Sequence, residues 1–216
     1  MPKTIKVVRG FSVALLIVIY AVLVHRVNVS GQPSVLGATL ALIPIFLLIG
    51  TFALQADSRL ASLSLILLSG LICWLLWPFV KQHTNFIFWI QDIGLMTVLL
   101  ITFGQTLQKN RKPLCVHFAE MIYGDSPLPP AHIRYARLVT VAWVIFFSFI
   151  IMTSTLLFFL TPLTIWSMFV NFLTLPLVAL MFIAEFMVRR RVLTDLPTGH
   201  PLDAVRAYLK NSARNR

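Results

Sequence analysis

Residues 138–188 read LVTVAWVIFFSFIIMTSTLLFFLTPLTIWSMFVNFLTLPLVALMFIAEFMV, and Glu185 is the single charged side chain among them. Two apolar runs, each long enough to cross a hydrocarbon layer of roughly 30 Å, meet at Thr161-Pro162. A link that short makes Leu138–Leu160 and Leu163–Val188 an antiparallel hairpin. In lipid every backbone N–H and C=O must be satisfied within the protein, so runs of this length are helices. The hairpin therefore decides the fold class: all-α and membrane-spanning.

Working outward, the same pattern repeats. Spans are expected over about 7–24, 34–54, 60–80 and 85–104. Gln55-Ala56-Asp57-Ser58-Arg59 separates the second from the third, and Lys81-Gln82-His83-Thr84 the third from the fourth. One long break, 105–137, precedes the hairpin, and a basic tail, 189–216, follows it. The whole chain reads as one integral membrane domain, a polytopic transmembrane helical bundle of six spans. The first span is the weakest: its apolar run, Phe11–Val24, is short, and Arg9 must reach back to the interface. Val24-His25-Arg26 and Val27-Asn28-Val29-Ser30 offer no small-x-small cleavage site, so a retained signal anchor is expected rather than a cleaved signal.

Composition agrees. Hydrophobic residues make up 58%, charged residues 12%, and mean hydropathy is +0.87, whereas a soluble domain carries about 25% charged residues to wet its surface. The net charge of +11 would suggest nucleic acid in a soluble protein. Here it marks one membrane face and its anionic headgroups, and no nucleic-acid partner is expected. With the N-terminus inside, sixteen Lys and Arg fall on the inner side and two, Arg26 and Lys81, on the outer side. That asymmetry predicts an N-in/C-in topology with both termini cytoplasmic. Trp74, Trp77, Trp89 and Trp166 fall near the outer ends of their spans, as an interfacial belt does. Cys73 and Cys115 lie near opposite faces, which rules out a disulfide between them on distance. No Cys/His cluster calls for a metal, and nothing in the sequence calls for a cofactor.

Ionisable groups inside a bilayer are costly and mark candidate sites. Asp92 lies about two turns into the fourth span beside Gln91, with no basic residue nearby in sequence. Glu185 sits four residues before Arg189, the spacing of a helical ion pair. The sixth span also carries Asn171, Thr174 and Pro176, and the proline frees the carbonyl of Phe172. In the 105–137 loop, Pro113 opens a short helix that ends before Gly124, with Leu114, Phe118, Met121 and Ile122 as an apolar stripe lying on the membrane surface. His117 and Glu120 share its polar side and are the weak catalytic candidates. Pro127-Leu128-Pro129-Pro130 restarts a helix, and Arg134 and Arg137 lead into the fifth span. With Arg189 and Arg190 they form the expected headgroup-binding set. A second amphipathic surface helix is expected in the tail over 201–210, with Leu202, Val205 and Leu209 on one face. Nucleotide-binding loops, H-E-x-x-H and G-x-S-x-G are absent from the sequence, so an ATP-driven pump is excluded for this chain.

The order Pro113-Leu114, Leu128-Pro129-Pro130, Arg134-Tyr135-Ala136-Arg137, Val139-Thr140, Trp143, Asn171 and Glu185-Phe186-Met187-Val188-Arg189-Arg190 resembles a family of uncharacterised bacterial inner-membrane proteins. That family is encoded among genes for aryl-polyene or xanthomonadin-type pigments, beside acyl carrier proteins and acyl-activating enzymes. The likeness covers roughly residues 105–191. It implies a multi-pass bacterial inner-membrane protein near lipid-linked acyl or polyene assembly, with acyl carrier proteins or other biosynthetic enzymes as partners. It carries over no catalytic residue. Three functions follow as expectations: a non-catalytic accessory or scaffold protein, a transporter or flippase for an apolar product, and a membrane acyltransferase-like enzyme using His117 and Glu120.

Overall fold

The computed structural model describes residues 3–56, 58–108, 111–123 and 129–193. These residues are all-α: α1 (Lys3–Ser30), α2 (Val35–Gln55), α3 (Arg59–Gln82), α4 (Thr84–Gln105), α5 (Leu114–Tyr123), α6 (Pro130–Leu160), α7 (Leu163–Met168), a π-helical turn (Phe169–Leu173) and α8 (Thr174–Val192). Six helical segments among them are long and apolar enough to cross a membrane, with α7, the π turn and α8 counted as one. The protein is a multi-pass membrane protein. The tail helix expected over 201–210, together with Lys109, Gly124 and Pro127-Leu128, lies outside the described residues.

Several boundaries differ from the sequence reading, each for a packing reason. Helix α1 runs to Ser30 instead of stopping at Val24, because Val24, Val27 and Asn28 form a buried stripe at helical spacing. Gly31, at φ 61°, then ends it in the left-handed conformation that suits glycine. Helix α6 begins at Pro130, where the sequence expects a helix to restart and lead into the fifth span; proline fits a first helical turn, and Ala136 and Thr140 further along are buried. The link between α3 and α4 shrinks to His83, whose ring stacks on Phe79 at 4.4 Å. Ser34 and Ser58 cap α2 and α3 by accepting from Gly37 N and Ala61 N at 2.9 and 3.1 Å.

The chain divides into two compact units, one of 1–92 with 154–173 and the other of 93–153 with 174–216. In the first, α1 packs on α2, α7 and the π turn, and α2 forms a hairpin with α3. Its core joins Val24, Val27, Leu40, Ala41, Phe88 and Trp166. Helices approach closely at Gly37, where a Cβ atom would meet Val27 Cγ1 at 2.7 Å, Ser34 Oγ at 2.9 Å and Thr84 Cγ2 at 3.0 Å. In the second, Trp143 is packed among Phe103, Phe146, Phe147 and Phe182, with ring centroids 4.7–6.0 Å apart.

Candidate functional site

In the first unit the polar side chains are gathered by α7. Trp166 and Ser167 are both fully buried, and each belongs to a different hydrogen-bond cluster. Trp166 Nε1–H donates to Ser154 Oγ at 3.1 Å, and the Ser154 hydroxyl donates to Asp92 Oδ2 at 2.6 Å. Ser154, with none of its surface exposed, thus accepts from an indole and donates to a carboxyl. Asp92, which has no basic residue nearby in sequence, finds a hydroxyl 62 residues away on α6. The Trp166–Ser154 bond closes the α6–α7 hairpin around Thr161-Pro162.

The second cluster centres on Ser167 Oγ. His25 Nδ1 lies 3.0 Å from it, Asn28 Nδ2 3.2 Å and Asn171 Nδ2 3.1 Å. Asn171 Nδ2 also donates to the Ser167 carbonyl at 2.9 Å. His25 and Asn28 stand one turn apart on α1 and reach the same atom. Asn28 is 1% exposed, and its Oδ1 has no hydrogen-bond partner. The His25 ring meets Phe172 edge-on at 5.3 Å, inside the π turn. The widened turn lies just before Pro176, so the expected irregularity of the sixth span takes the form of a π bulge.

A proline inside α2 explains a third set of bonds. Pro44 has no N–H to give the carbonyl of Leu40, four residues earlier. Tyr20 Oη donates to that carbonyl at 3.2 Å, and Gln91 Nε2 donates to the neighbouring Ala41 carbonyl at 2.7 Å. Donors from α1 and α4 thus converge where the proline leaves α2 short of one.

The second unit uses charged groups toward the start of α6 and the end of α8. Tyr135 Oη donates to the Glu185 carbonyl at 3.1 Å. Glu185 meets Arg189 at 3.6 Å, the ion pair its spacing implies. Cys115 N donates to Thr140 Oγ1 at 3.3 Å and Leu114 N to Thr106 Oγ1 at 3.0 Å, so α5 is tied down at its first turn. Val116, on α5, is 2% exposed, whereas Phe118 from the expected apolar stripe is 37% exposed. Burial pushes the Cys115 thiol above the ordinary thiol range; Thr140 works against this and the nearby Glu185 adds to it.

The remaining candidates are dispersed. Glu120 is bonded to Lys112 at 2.8 and 3.1 Å, while exposed His117 has its ring 6.5 Å from that of Phe118. Glu120 is thus engaged by Lys112, and among the described residues no hydrogen bond joins it to His117. Arg134, Arg137 and Arg190 are exposed. Ala136, Thr140 and Trp143 of the same helix are buried, whereas Arg134 and Arg137 are not. Arg189 and Arg190 each lie 5.7 Å from the Phe186 ring. Sequence reasoning missed His25, Asn28, Ser154 and Ser167. The i, i+3 spacing of His25 and Asn28 was the one local signal for them. Comparisons with family models, curated proteins and solved structures found no match for the chain.

Proposed function

We propose that this chain is an accessory scaffold of the bacterial inner membrane, both termini cytoplasmic, for enzymes that build a lipid- or polyene-type acyl product. The observation that carries the reading is how the polar groups are used. Buried Asn28, Ser154, Ser167 and Trp166 are spent in bonds between helices, while Arg134, Arg137, Arg190 and Arg191 remain exposed. The first set fixes the helices against one another. The second offers a basic face to acidic partners and anionic headgroups, where guanidinium groups bind carboxylate and phosphate well. The charge asymmetry of the loops supports the cytoplasmic placement of that face. The resemblance over residues 105–191 supports acyl carrier protein as the acidic partner.

Co-purification tests this reading. An acyl carrier protein from the same cell is expected to be retained at low salt and lost at high salt, and retention should fall when Arg134, Arg137, Arg190 and Arg191 are all replaced by Ala. No carrier protein binding under any salt condition would defeat it. One feature favours a second reading, a flippase for an apolar product: the bulged sixth span, with Asn171 in the π turn, has the irregular backbone that such proteins use beside a substrate path. Unchanged export of that product by an Asp92→Asn, Asn171→Ala double variant would sink it.

A further inference from the structure

The hydrogen-bond inventory around Ser167 fixes more than a contact. A serine hydroxyl has one proton to give and two lone pairs to accept with. Asn28 Nδ2 and Asn171 Nδ2 are donors only, and at 3.2 and 3.1 Å they occupy both lone pairs. The hydroxyl proton is then left for His25 Nδ1 at 3.0 Å, so that nitrogen must accept and the ring proton must sit on Nε2.

We propose that His25, Asn28 and Ser167 form a proton-binding site that works as a hydrogen-bond toggle. A proton taken from solvent onto His25 Nδ1 turns this acceptor into a donor. If nothing else moved, Ser167 Oγ would face three donors with two lone pairs, and its own hydrogen would have no acceptor. Asn28 resolves the conflict. Turning its amide over presents Oδ1, the buried oxygen that has no partner now, to the Ser167 hydroxyl. The Ser167 proton then goes to Asn28 Oδ1, and the released lone pair accepts His25 Nδ1–H. Asn171 keeps both its bonds to Ser167 throughout. Three bonds exist before and three after, with all directions at His25 and Asn28 reversed. The two amide orientations occupy nearly the same volume, which a side chain 1% exposed requires.

The surroundings leave the proton on His25 little competition. Helix α1 itself carries Tyr20, bonded to the Leu40 carbonyl, and Arg26 near His25, with Lys3, Lys6 and Arg9 at its opposite end. Neither α2, α7 nor the π turn contains a titratable or charged residue. The packed part of α4 brings Asp92, whose Oδ2 is taken by Ser154, and the packed end of α6 brings none.

The test is nitrogen NMR of the full chain in lipid nanodiscs with labelled histidine and asparagine side chains. The His25 signals are identified by their loss in His25→Gln. In the neutral form the wild type should show Nε2–H at His25, several-fold over the other tautomer, and the Asn28 amide signals should shift with the same midpoint as His25 protonation. Asn28→Asp supplies an oxygen acceptor in every orientation and should reverse the neutral tautomer to Nδ1–H. An Nδ1–H tautomer in the neutral wild type overturns the proposal. So do Asn28 signals that stay unchanged through the His25 titration. The wild-type measurements decide the matter even if the variant fails to fold.

Discussion

The unit containing α1 and α7 and the unit containing α5 and α8 both set polar side chains among apolar helices, but with different chemistry. In the first, the groups are mainly neutral, Asn28, Ser154, Trp166 and Ser167 among them are fully buried, and the bonds of Asp92, His25 and Asn28 reach partners 62 to 142 residues away in sequence. In the second, they include a carboxylate, a guanidinium and a thiol, partly exposed, and the ion pair lies within one helical turn. Burial explains the contrast. A charge removed from water costs several kcal/mol unless it is well paired, whereas a neutral hydroxyl or amide needs only its hydrogen bonds. Deep positions therefore select Ser, Asn and Trp, and positions near a helix end can keep Glu and Arg, whose long stems reach water.

The contrast is broken most severely at Gly37. A leucine there must displace Val27, whose branched side chain cannot swing aside, as well as the Ser34 cap and Thr84. Overpacking of this kind costs about 3 kcal/mol or more. A melting curve in detergent should show the protein strongly destabilised, and an unchanged midpoint would mean that the close packing of the first unit is not what holds it. Next in size is Ser167→Ala. It removes three bonds to one hydroxyl at once, two of them between helices, and at roughly 0.6 kcal/mol for each bond in a membrane the loss is about 2 kcal/mol. Tyr135→Phe removes the single bond to the Glu185 carbonyl in the second unit, so only about 0.6 kcal/mol should be lost. If the two variants melt together, the neutral and charged arrangements are equally important and the contrast fails.

The same contrast explains what the sequence revealed. The spans were legible because crossing lipid demands length and apolarity, which any window of about twenty residues displays. The Glu185–Arg189 pair was legible because its partners are one turn apart. Asp92 could be singled out but its partner could not, since Ser154 lies 62 residues away and meets it only where α6 packs against α4. The apolar run stops at Val24, so sequence alone places His25 and Asn28 in a linker. In the fold the helix continues, since Ser167 satisfies both polar groups and the adjacent Val24 and Val27 are buried. The role of Pro44 was hidden for a similar reason: a freed carbonyl is visible in sequence, but the Tyr20 hydroxyl that meets it is not.

The smallest expected effect concerns Cys115, and it sharpens the contrast by asking whether the charged groups of the second unit act on one another. Burial raises the thiol above its ordinary range, and Glu185 pushes in the same direction. Since the thiolate is the reactive form, maleimide labelling of Cys115 should accelerate only at a pH above that at which an exposed thiol reacts. Glu185→Gln removes one of the two upward influences and should move the onset modestly toward lower pH, with burial still keeping it high. The sign for stability follows from linkage. Below the unfolded-state value the thiol is neutral in both states. As pH rises past that value the unfolded chain ionises first, so the contribution of Cys115 to stability falls until the folded thiol ionises too. Labelling of a Cys73→Ser protein across a pH series, with and without Glu185→Gln, measures both trends. An onset that does not move would show that Glu185 is effectively neutralised by Arg189, and that the charges of this unit are paired as locally as the hydrogen bonds of the other are distant.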